Sequence, residues 1–195
     1  MNLHFRKGIM EISTDKLDDS FSILSESHNL LLQTKHAFEI MHSRVHKNYN
    51  IAHLCPLIIG SDRRRFSIHE QKDANEFFNL YLDQIEALLE PSNNKTLVQD
   101  VFGGYLANEM ICDECMHRRE HEERFYSINL DIQNKRDIKS SLASYIEAEF
   151  MENEDAWDCE KCDKKMKARK RTTFKVLPNT LVFVLKRFQY KSNIK

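Results

Sequence analysis

Residues 71 to 91 read QKDANEFFNLYLDQIEALLEP, and Phe77, Leu80, Tyr81, Ile85 and Leu88 recur at one-turn spacing. The pattern predicts an amphipathic helix that Pro91 stops, because proline has no N–H to continue the ladder. Leu31, Thr34, Phe38, Met41 and Val45 repeat the same period and predict a second helix over Leu30 to His46, with Asn29 as its cap. Ahead of it, the serine- and aspartate-rich stretch Glu11 to Asn29 reads as a surface loop. Met1 to Met10 reads as the end of a helix or turn whose start lies before Met1, with Asn2 as the one candidate cap. A short apolar segment, Ile51 to Ile59, is closed off by Pro56 and Gly60.

After Pro91 the period changes. Val98 to Met110, with Gly103 and Gly104 inside it, predicts a strand with a bend or bulge. Ile128, Leu130 and Ile132 alternate along a second strand. Helical spacing returns through Ile138, Leu142, Tyr145 and Ile146, predicting a helix within Asp137 to Phe150. Arg171 to Tyr190 reads as two strands divided by Pro178, and the unbroken apolar run Leu181 to Leu185 predicts a strand buried on both faces. Helices first and strands later indicate an α+β fold.

Composition narrows the class. The 195 residues are 41% hydrophobic and 30% charged with a formal net charge of -1, which describes a folded globular chain. Near-neutral charge gives no bulk case for nucleic acid or an anionic membrane as partner, and no apolar run reaches spanning length. The run Lys161 to Arg171 (KCDKKMKARKR) is dense in basic residues, but no aromatic residues are interleaved, so it reads as a solvated face. No secretory signal opens the chain, so its five cysteines suggest a reducing compartment, cytosol or nucleus, and metal binding rather than disulfides.

Four of those cysteines form two C-x-x-C pairs, Cys112–Cys115 and Cys159–Cys162. Two intervening residues let both thiolates of a pair turn toward one cation at about 2.3 Å, and four thiolates complete a closed, structural zinc shell. Lys161, Lys164 and Lys165 would offset part of its negative charge. The segment Met116 to Asp158 between the pairs must hold a strand and a helix, so the metal would join distant parts of one sheet. Cys55 stands apart. With His53 two residues away it invites a nucleophile-and-base reading; before Pro56 in an apolar run it reads better as a small buried hydrophobe.

Several segments fall into one family order. QKDANEF (Gln71 to Phe77) resembles the Gln-Gln-Asp-Ala-x-Glu-Phe box of the ubiquitin-specific proteases. FGGYLANEMICDEC (Phe102 to Cys115), ERFYSINLDI (Glu123 to Ile132) and LPNTLVFVLKRFQY (Leu177 to Tyr190) are similar to that family's segments around its zinc knuckles and its Lys-Arg-Phe strand. The resemblance implies part of a papain-like cysteine protease domain: thumb helices over residues 1–90, then zinc-bearing antiparallel β fingers and the start of the palm over 91–195. It implies structural zinc on Cys112, Cys115, Cys159 and Cys162. It also implies ubiquitin or ubiquitinated proteins as partners, with Gln71, Asp73, Glu76 and Phe188 at the ubiquitin tail. The family reaction is thiol-dependent hydrolysis of the bond after ubiquitin's C-terminal Gly-Gly.

The departures bear on activity. The family's Gly-Asn-Thr-Cys-Tyr box would precede Phe5 to Ile9, and its Gly-His-Tyr context would follow the Lys-Arg-Phe strand; neither sequence occurs here. Lys72 stands where the family has its second glutamine. The expectation is a fragment without catalytic residues, inactive by itself. The alternative is a catalytically dead module that binds ubiquitin or another protein.

Overall fold

The computed structural model describes residues 2–12, 24–43 and 48–188, the backbone alone at 24–29. The chain folds as two compact units, Met1–Val101 and Phe102–Lys195.

The first unit is helical. Helix α1 (Leu3–Met10) starts in this sequence, because the Asn2 side chain accepts from the Phe5 N–H at 2.9 Å. Helix α2 runs Leu24–Ser43, so the expected loop is wrong over its last residues and Asn29 is interior rather than a cap; residues 13–23 and His46 lie outside the description. Polar residues hid its first turn, since propensity alone is a weak signal without a buried stripe. Phe5 meets Phe38 edge to face, and the Tyr81 hydroxyl donates to buried Thr34 at 3.1 Å. Burial pushes the Tyr81 phenol up to about 12. Ala52–Leu57 forms a 3-10 helix around Pro56. Helix α3 (Ala74–Leu89) follows the predicted period and buries Leu82, Ile85 and Leu89. Helix α4 (Leu97–Phe102) replaces the start of the strand expected from Val98, because Val98 and Val101 are one turn apart and both fully buried.

The second unit is built on strands. Strand β1 (Gly104–Cys112) lies between β2 (Arg118–Phe125) and β7 (Ala168–Val176), and β4 (Glu149–Met151) pairs with β7, all antiparallel in the order β2-β1-β7-β4. The register of β1 on β7 slips between Tyr105 and Leu106, which is the expected irregularity. Strands β3 (Ile128–Asp131) and β8 (Phe183–Lys186) form a parallel pair, and β5 (Trp157–Cys159) and β6 (Lys164–Met166) an antiparallel hairpin. Helix α5 (Ile138–Tyr145) is shorter than expected and starts at a capping box between Asp137 and Ser140. The Ser140 backbone N–H holds the Asp137 carboxyl below its usual range. Leu106, Phe125, Ile128 and Leu130 form the core, with Leu142, Tyr145 and Phe174 against it. Leu181 to Leu185 are only half-buried, which corrects the expectation of a strand covered on both faces.

Gly104 sits where no side chain fits. A Cβ there would come within 2.5 Å of the Phe125 ring and 2.8 Å of the Val176 carbonyl oxygen. The ring is core and the carbonyl is backbone, so neither yields. Gly104→Ala is expected to cost about 1–3 kcal/mol, read as a lower urea midpoint.

Candidate functional site

The two C-x-x-C segments fold into matching turns. In the first, the Met116 N–H donates to the Cys112 carbonyl at 3.1 Å; in the second, the Asp163 N–H donates to the Cys159 carbonyl at 2.8 Å. Met116 and Asp163 both take left-handed backbone, at φ 56° and 53°. That conformation costs a non-glycine residue energy, and it aims each pair of sulfurs to one side. Register then brings the turns together. Strand β1 ends on Cys112, opposite Ala168 of β7, and the Asp113 N–H reaches the Lys167 carbonyl at 3.0 Å. His117, just after the first turn, and Trp157, just before the second, stack with parallel rings.

All four sulfurs lie within 4.8 Å of one another, with Cys112 to Cys162 at 4.0 Å and Cys115 to Cys159 at 3.5 Å. A tetrahedral zinc–sulfur shell has sulfurs about 3.8 Å apart, from a bond of about 2.3 Å. The donor set therefore fits zinc, and these distances are far too long for disulfides. Cys112 and Cys159 are buried, Cys115 and Cys162 half-buried. The Cys115 backbone N–H, with that of Glu114, lowers the Cys112 thiol to about 7. The Cys115 sulfur, then burial and the other sulfurs, pushes the Cys162 thiol up to about 12. Four thiolates this close repel, and a dication is what would let all four lose their protons.

Beside this cluster the sequence reading missed a buried charge. Glu109 in the middle of β1 is 3% exposed, and its carboxylate accepts from Arg118 of β2 and from Arg171 of β7, the latter at 2.6 Å. The network continues through Glu120 to Lys175, which also meets Glu122. The Lys175 ammonium holds the Glu120 carboxyl down, and the two carboxylates, Glu122 first, push the Lys175 ammonium up. The signal was available: alternation places Glu109 in line with buried Ala107. Part of the basic run is paired across the surface: Lys167 with Glu152, Arg169 with Asp113 and Lys170 with Glu149, all through solvent-exposed side chains.

The box residues open α3. Asp73 is its N-cap: Oδ1 accepts the Asn75 N–H at 2.7 Å and the Glu76 N–H at 3.0 Å. Glu76 lies in the first turn and accepts from the Ser61 hydroxyl at 3.4 Å, and Gln71 is exposed just ahead of the helix. Lys72 pairs with Glu70 at 3.5 Å. Phe188, in the other unit, is 95% exposed. Cys55 is half-buried on a 3-10 turn, less covered than expected. His53 hydrogen-bonds the Tyr49 hydroxyl at 3.3 Å, and among the described residues no histidine bonds the Cys55 thiol.

A family model described as ubiquitin carboxyl-terminal hydrolase matches residues 2–195. Ubiquitin carboxyl-terminal hydrolase 9Y of Homo sapiens is 41% identical over 124 residues, covering 64% of this chain and 5% of that protein. The probable ubiquitin carboxyl-terminal hydrolase FAF of Drosophila melanogaster is 39% identical over 64% of this chain and 4% of its own length. Ubiquitin carboxyl-terminal hydrolase 34 of Homo sapiens is 29% identical over 82% of this chain and 4% of its own length. The chain thus spans about a twentieth of the length of these relatives.

Proposed function

Because the chain belongs to the ubiquitin carboxyl-terminal hydrolase family, we propose that it serves deubiquitination as the ubiquitin-gripping part of a cysteine-type hydrolase. The convergence of four sulfurs from distant knuckles, inside a chain matched almost end to end by the family, carries this reading. The helical unit acts as part of the thumb, and the strand-rich unit as the fingers and the start of the palm. Cys112, Cys115, Cys159 and Cys162 would hold zinc. The ion's chemistry there is structural: it neutralises the thiolates and ties β1 to the β5–β6 hairpin, with no open position for a reactant. A reducing compartment, cytosol or nucleus, suits a site made of free thiols.

Glu76, and the Asp73 oxygen not used in the helix cap, accept charge-assisted hydrogen bonds from the arginines of the ubiquitin tail, with Gln71 beside them. Phe188 of the other unit, an exposed ring, is by itself a second candidate contact for ubiquitin. Hydrolysis needs a thiolate with a base in reach, and the fifth cysteine, Cys55, has none among the described residues. The polypeptide of residues 1–195 is therefore expected to bind ubiquitin without cleaving after it. Incubated with ubiquitin carrying a C-terminal fluorophore, it should release nothing above background. Turnover that Cys55→Ala abolishes would overturn this, and a ubiquitin NMR spectrum that does not shift on adding the chain would remove the binding itself.

A further inference from the structure

We infer that Lys72, tethered by Glu70 and Phe66, sets how tightly the Asp73–Glu76 pair holds a cationic peptide tail. The inference rests on the ubiquitin-tail reading of that box and adds the residues that tune it. Phe66 is a fixed platform: it is 6% exposed, its N–H donates to the Ile58 carbonyl at 3.0 Å, and its ring meets Phe77 of α3 edge to face. The Lys72 ammonium lies 5.8 Å from the centre of that ring and 3.5 Å from a Glu70 carboxylate oxygen. Both contacts draw it away from the two acids of the box. Among the described residues, Lys72 forms no ion pair with Asp73 or Glu76.

The surroundings make that charge matter. Glu76 borders a small polar cavity with Asp62 and Glu70 on the acidic side and Arg64, Arg65 and Lys72 on the basic side. Three cations offset three anions, so an arginine-bearing tail meets a nearly neutral wall. Asp73 has already given one oxygen to the helix cap. Lysine carries a compact charge on a flexible stem. Released from Glu70, its ammonium can swing onto Asp73 or Glu76 and compete with the incoming guanidinium. Removed, it leaves the box more acidic.

The two single variants therefore move affinity in opposite directions, which a purely structural role would not do. Zinc-loaded chain is titrated into isotope-labelled ubiquitin. Lys72→Gln should tighten binding about threefold and Glu70→Gln weaken it about threefold, the size expected of one exposed charge nearby. Lys72→Arg should match the parent. In the Lys72→Gln background, Glu70→Gln should change affinity by less than about 1.5-fold, because it acts through the ammonium. At about 0.5 M salt the differences should collapse. If ubiquitin binds but Lys72→Gln does not tighten it, or Glu70→Gln weakens both backgrounds equally, the tether falls and the ubiquitin-tail reading stands. If no form of the chain binds, both fall. Residues 70 and 72 are exposed, so unchanged melting temperatures confirm that folding is not what is read.

Discussion

Cys112→Ser is expected to leave the chain without stoichiometric zinc and to unfold the unit from residue 102 onward, as is a strong chelator added to the parent. The second knuckle is carried by β5 and β6, strands of three residues each, and a hairpin that short does not stand alone in water. The thiol cluster joins it to the end of β1. A structural zinc site contributes about 10–16 kcal/mol of apparent binding energy at neutral pH. That is comparable to the whole stability of an ordinary domain, about 5–15 kcal/mol, so its loss is enough to unfold the unit. Trp157 is the one tryptophan of the chain, lies two residues before Cys159 and stacks on His117, so its emission reports the loss directly. The thiols must lose their protons to bind metal, so retention of zinc should weaken as the pH falls. Protein that contains no zinc, with tryptophan emission indifferent to chelator, would end this account of the unit.

The second large effect is an asymmetry at Glu109. Its carboxylate side chain is 4% exposed, while those of its partners Arg118 and Arg171 are 49% and 44% exposed. Glu109→Gln lets both guanidinium groups turn to water, so it should cost about 1–2 kcal/mol, the worth of lost charge-assisted hydrogen bonds. Replacing both Arg118 and Arg171 by alanine leaves an unpaired carboxylate under the sheet. That should cost about 3–5 kcal/mol, the usual penalty for stranding one member of a buried pair. Adding Glu109→Gln to the double variant should then restore stability. Urea denaturation of the four proteins measures this. A double variant no less stable than Glu109→Gln would show that water reaches the carboxylate.

Where a segment buries one face, its periodicity was readable. Helix α3 and strand β3 stand where Ile85, Ile128 and Leu130 predict them. Strand β2 was missed because seven of its eight residues are exposed, so no apolar alternation marks it. It is a strand because β1 pairs with it from Gly104 to Ile111. The segment 98–102 was misread because a short buried run looks alike in helix and strand.

The sequence by itself determined the two cysteine pairs, the box that opens α3, and the elements that bury one face. Each is written in local spacing, and local spacing is what one- and two-residue steps along a backbone can fix. The tertiary structure alone decided which charges are buried and which are spent. Glu109 is sealed by an arginine 62 residues away, and Asp113 and Glu109 claim Arg169 and Arg171 from the basic run. Such pairings join strands far apart in sequence, so they exist only once register is set.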